Sequence, residues 1–166
     1  MNKKIKIAII DDETLLVEGF SIMFSKVKNI QVGITANNGL DFLNALEESS
    51  ESDFPDIAII DIQMKPMDGF ELVEILKEKH PYLKIIILSS HYKSNVLGHM
   101  IKLGVSAFIP KNANKELLVT AIESVNNSGV YFTKTDQELL AKYMSSRSKK
   151  LRFTSNELLS KRENEI

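Results

Sequence analysis

The chain of 166 residues contains no cysteine. That absence excludes disulfides, thiolate nucleophiles and cysteine-ligated zinc. Tryptophan is also absent, and proline and glycine are sparse at 4 and 7 residues, too few for a low-complexity or collagen-like chain. No apolar run approaches the roughly eighteen residues that a membrane span needs. The basic N-terminus, Met1-Asn2-Lys3-Lys4, is followed by Ile5 to Ile10, a run too short and too interrupted for a signal sequence, and acids come directly after it. A cytoplasmic protein without a membrane partner is expected. Net charge is −1, so the overall balance does not point to nucleic acid.

What is present is ordinary for a globular chain, 43% apolar and 26% charged, but the charge is unevenly spread. Residues 1–128 carry 13 lysines, no arginine and 17 acids. Residues 129–166 carry 8 Lys and Arg against 5 acids, including all the arginines: Arg147, Arg152 and Arg162. The shift marks a change of module near Ser128-Gly129. We expect one domain over 1–128, a linker with a helix over 129–158, and the truncated start of a further domain over 159–166.

Short apolar runs predict strands near 4–10, 30–35, 56–60, 84–88 and 106–109. Between them, apolar residues recur at helical spacing. Leu15, Leu16, Gly19, Phe20, Ile22, Met23 and Phe24 form the first such set, and Leu117, Leu118, Ala121, Ile122 and Val125 the last, over about Asn114 to Val125. Five strand-then-helix units imply an α/β fold, a doubly wound five-stranded parallel sheet with five helices and a C-terminal linker helix. The Ile-rich first, third and fourth strands suit burial on both faces. Asp68-Gly69 should open one helix, His80-Pro81 close it, and Gly104 end the next. In the linker, Thr133 to Met144 reads as a helix, with Thr135 as cap and Glu138 three residues on. Ser145 to Arg152 reads as polar linker.

Polar residues stand where four of the apolar runs end. Asp11 and Asp12 follow the first run, Asp61 the third, Ser89 the fourth and Lys111 the fifth. In a parallel sheet these carboxyl ends share one edge, where open α/β sheets bind ligands. Singly, each residue is a plausible cap, turn former or solvated lysine. Together they specify phosphoryl chemistry on an aspartate. Adjacent Asp11 and Asp12 repel unless a cation is present. Mg²⁺ (or Mn²⁺) takes oxygen ligands and keeps several waters. Asp12 and Asp61 are the expected direct ligands, Asp11 acts through water, and the Gln63 backbone carbonyl could supply another oxygen. Asp61 keeps a free oxygen as nucleophile, Lys111 supplies positive charge, and the Ser89 hydroxyl can donate to a phosphoryl oxygen.

These residues resemble the receiver domain of two-component response regulators. The segments that carry the resemblance are Ile9-Ile10-Asp11-Asp12-Glu13, Ile59-Ile60-Asp61-Ile62-Gln63-Met64, Met67-Asp68-Gly69, Leu88-Ser89-Ser90 and Ala107-Phe108-Ile109-Pro110-Lys111, within about residues 4–126. The resemblance implies a flavodoxin-like fold and phosphorylation of Asp61 by a phosphohistidine of a sensor histidine kinase. It implies Phe108 as the switch aromatic, turning inward from an exposed rotamer when Ser89 moves toward the phosphoryl group. It further implies that the reshaped surface of the fourth helix, fifth strand and fifth helix supports homodimer formation or releases an output domain. Gln63 and His91 match the two positions that tune phosphoryl lifetime. One departure from the pattern is Lys65, which stands where the family usually has proline, with Pro66 following.

The last eight residues, Leu159-Ser160-Lys161-Arg162-Glu163-Asn164-Glu165-Ile166, are similar to the opening of the helix-turn-helix domain of LuxR/NarL-type regulators. The expectation is a chain cut just inside that domain, with promoter DNA bound only through the part absent here. A receiver acting by protein–protein contact alone is an alternative. So is a Mg²⁺-dependent phosphohydrolase, disfavoured because Gln63, not an acid, stands two residues after Asp61. A flavin site is rejected because Asp11-Asp12-Glu13 would repel its phosphate.

Overall fold

The computed structural model describes residues 3–90 and 93–146. Five strands, β1 (Ile5–Ile10), β2 (Ile30–Ala36), β3 (Ile57–Asp61), β4 (Lys84–Ser89) and β5 (Ala107–Pro110), form one parallel sheet in the order β2-β1-β3-β4-β5. The connecting helices are α1 (Thr14–Ser25), α2 (Gly39–Glu48), α3 (Gly69–Lys79), α4 (Ser94–Leu103) and α5 (Lys115–Ser128), with a 3₁₀ turn at Glu51–Asp53. A sixth helix, α6, covers residues 134–146.

The pleat divides the core. Ile7 and Ile9 of β1, with Ile59, Ile86 and Ile109, pack on α1 and α5 through Val17, Phe24, Leu118, Ile122 and Val125. Ala8 and Ile10, with Ile60, Ile85, Ile87 and Phe108, pack on α2, α3 and α4 through Phe42, Leu72, Leu76, Leu97 and Met100. Burying each such side chain contributes about 1.5–3 kcal/mol, which fixes the register of β1, β3 and β4.

Helix ends follow their local chemistry. Asp68 accepts a hydrogen bond from Glu71 N at 2.9 Å and caps α3, as its sequence predicts. Gly104 ends α4 with φ 94°, the left-handed region that glycine reaches at no steric cost. The linker helix departs from expectation. Thr133 and Asp136 cap it: Asp136 N donates to Thr133 Oγ1 (3.1 Å) and Thr133 N to Asp136 Oδ2 (2.8 Å). Thr135 and Glu138 are exposed instead. On α1, Val17 and Phe24 face the core, whereas Leu15 and Ile22 stand 84% and 62% exposed. Only one of their two neighbouring stripes can face the sheet. His91, most of the basic linker and the stretch 159–166 lie outside the described residues. Among the described residues no helix is long and apolar enough to cross a membrane.

Candidate functional site

The strand order brings β1 and β3 side by side at the centre of the sheet, with Ile10 opposite Ile60. Asp11 and Asp61 therefore emerge as neighbours. Pairing of Ser89 with Pro110 sets the end of β4 beside that of β5. Lys111 N donates to Ser89 O at 2.9 Å, continuing the ladder one residue further. Asp11, Asp61 and Ser89 are almost fully buried, and Asp12 is exposed.

Lys111 reaches back across the edge of the sheet. Its Nζ lies 3.2 Å from Asp61 Oδ2, 3.2 Å from Asp11 Oδ2 and 2.6 Å from Glu13 Oε1. The contact to Asp61 is a hydrogen bond. The contact to Asp11 Oδ2 is an ion pair whose angles do not make a hydrogen bond, and that buried oxygen has no donor. Glu13 carries no function in the sequence reading, yet it makes the shortest contact to Lys111. It stands at the N-cap of α1 without a side-chain cap bond, because its carboxylate is turned to the lysine.

Burial pushes the Asp11 carboxyl up to about 6. Asp61 adds to the rise, whereas the Glu13 N–H and Lys111 oppose it. Burial also raises Asp61, against the pull of Lys111. For Lys111 burial acts downward, but the hydrogen bond to Glu13 and the attraction of the Asp11 and Asp61 carboxylates outweigh it and hold its pKa above the ordinary value. Two buried acids and one ammonium thus balance imperfectly.

Ligand oxygens of Asp11, Asp12 and Asp61 all lie within 4.8 Å of one another. Three converging carboxylates and an orphaned buried oxygen on Asp11 suit a hard, oxygen-seeking cation. Asp61 Oδ1 accepts weakly from Gln63 N at 3.4 Å. The loop beyond Asp61 is closed by Gly69 N donating to Ile62 O at 2.7 Å. A Cβ at Gly69 would fall 2.6 Å from Ile62 Cα and 2.8 Å from Asp61 O, so glycine is required for this close approach. Lys65 and Pro66 are exposed in that loop, joined by a cis peptide.

Phe108 differs from its expectation. It is 0% exposed and packs with Leu97, Met100 and Val105 under α4, so the expected exposed rotamer is not the one adopted. An aromatic ring on the inner face of β5 gains more from this burial than from solvent.

A doubly wound five-stranded sheet with an acidic cluster and a lysine at its carboxyl edge defines the class. Residues 7–123 match the family described as the response regulator receiver domain, and the chain belongs to that family of signalling domains. It is 30% identical over 166 residues to the oxygen regulatory protein NreC of Staphylococcus epidermidis, an alignment covering 97% of this chain and 74% of the relative. It is 28% identical over 141 residues to the transcriptional regulatory protein DegU of Brevibacillus brevis, covering 84% of this chain but 58% of that one. The chain thus spans little more than half of DegU and 59% of MctR of Rhizobium johnstonii. Among solved structures, a LuxR-family two-component response regulator from Aurantimonas superposes with TM-score 0.75 at 19% identity, over 86% of this chain and 99% of that one. RcsB of Salmonella typhimurium gives TM-score 0.74 at 21% identity, over 86% and 69%. These two likenesses describe the fold.

Proposed function

We propose that the chain accepts a phosphoryl group on Asp61 from a phosphohistidine of a sensor histidine kinase, and thereby switches an attached DNA-binding output that controls transcription. A carboxylate oxygen of Asp61 attacks phosphorus, and the bond from phosphorus to the histidine nitrogen breaks. The observation that carries this reading is Lys111, half-buried with its Nζ 3.2 Å from both Asp11 and Asp61. Its ammonium is positioned to neutralise charge on the transferred group. Burial raises the Asp61 carboxyl, and Lys111 opposes that rise in favour of the carboxylate form. Asp11, Asp12 and Asp61, with the Gln63 carbonyl, would hold Mg²⁺ or Mn²⁺, which supplies further charge neutralisation when bound. Ser89, buried at the end of β4, is suited to donate to a phosphoryl oxygen. Beyond promoting its own phosphorylation and dephosphorylation, the chain is not an enzyme.

Leu15 and Ile22, exposed on α1 seven residues apart, offer an apolar strip to a partner protein beside the acid pair. A histidine kinase or a second copy of the chain fits this role. Phe108 is proposed as the switch aromatic, with its buried position as the starting state. Acetyl phosphate with Mg²⁺ should add one phosphoryl group to the intact mass of the protein. Asp61→Asn, or omission of Mg²⁺, should abolish the gain. Uptake that survives Asp61→Asn would refute the assignment.

A further inference from the structure

We propose that α6 is a latch seated on α4 and β5, and that charging Asp61 loosens it. This proposal rests on the phosphoacceptor reading and adds the element that responds. Residues Asp136, Leu139, Leu140 and Tyr143 are the buried or half-buried positions of α6, at the spacing of a single helical stripe. Leu139 packs on the core layer beneath α4. The Tyr143 ring occupies the space where Gly98 of α4 has no side chain, and a Cβ there would overlap it. Before the helix, Tyr131 N donates to Ser106 O at 2.8 Å, and Tyr131 bridges Ala107 as a parallel addition to β5.

The two elements that support α6 are those that lead away from the site. β5 is four residues long. Lys111 follows one of its ends, and Ser106, bonded to Tyr131, precedes the other. α4 begins at Ser94, five residues along the chain from Ser89. A phosphoryl group on Asp61 would draw Lys111 away from its carboxylates and engage Ser89, displacing both supports together. The latch is also held with little margin. Asp136 is 1% exposed, and its Oδ1 is buried without a hydrogen-bond partner. An unsatisfied buried polar atom weakens the docked state, so a small bias suffices to shift it.

Hydrogen exchange of the full chain, with and without beryllofluoride and Mg²⁺, tests the proposal. Slowed exchange around Asp61 reports that the site is loaded. Peptides over 131–146 should then exchange about tenfold faster, as expected for local opening. Gly98→Ala and Tyr143→Ala should give that faster exchange without beryllofluoride, leaving β1, β3 and β4 unchanged. A loaded site with unaltered exchange over 131–146 would overturn the latch and leave the phosphoacceptor reading intact. Unaltered exchange in both variants would also overturn it. A site that never loads would overturn the phosphoacceptor reading and the latch together.

Discussion

Lys111 decides how two buried carboxylates coexist at the edge of the sheet. Without its ammonium, Asp11 and Asp61 would face each other unpaired, and breaking a buried pair by removing one partner costs about 3–5 kcal/mol. Lys111→Ala should therefore lower the urea midpoint by an equivalent amount in chelator, and Mg²⁺ should restore part of the loss. Asp11 gives the opposite sign. Its folded pKa is raised to about 6, so the folded state binds a proton more tightly than the unfolded chain. Its contribution to stability is best at low pH and is lost as pH rises through about 6. In the absence of divalent cations, Asp11→Asn should match the wild type near pH 4 and exceed it by about 1–2 kcal/mol at pH 7. A denaturation series across that range checks the sign. Asp11, Asp61, Ser89 and Lys111 were legible in the sequence because a strand end fixes where a side chain emerges. The role of Glu13 and the burial of Phe108 were not, because each depends on a rotamer chosen by neighbours distant in sequence.

Element by element, apolar periodicity located the five strands and the helices between them, and capping residues set some boundaries. Asp68 and Gly69 act as one device: the aspartate caps α3 and the glycine lets the helix meet the Asp61 backbone. Asp68→Ala should cost about 1 kcal/mol. Gly69→Ala should cost about 1–3 kcal/mol through overpacking and slow phosphoryl uptake as well, because the clash falls on Asp61 itself. Thermal unfolding and acetyl phosphate kinetics separate the two. The start of α6 was less legible. Thr133 with Asp136 and Thr135 with Glu138 offer the same capping pattern two residues apart. The inward stripe of Asp136, Leu139, Leu140 and Tyr143 selects the first, a choice made by packing rather than by local sequence. α1 poses the same difficulty, since Leu15 and Ile22 are as apolar as the residues that face the sheet.

Over the whole molecule, alternating strands and helices were enough to infer a parallel sheet with helices on both faces. The order β2-β1-β3-β4-β5, which makes Asp11 and Asp61 neighbours, was not legible in periodicity, which locates strands without saying which of them pair. That order concentrates acid at one edge of the sheet. If the exposed strip on α1 serves a second copy of the chain, beryllofluoride should raise the sedimentation coefficient, and Leu15→Ser with Ile22→Ser should prevent the rise. The central claim is that Asp61 carries the phosphoryl group. The most direct measurement is borohydride trapping after acetyl phosphate treatment in Mg²⁺, followed by peptide sequencing. An aspartyl phosphate is reduced to homoserine, so the account predicts homoserine at position 61. Homoserine at another aspartate, or none in protein that has taken up phosphate, would contradict it.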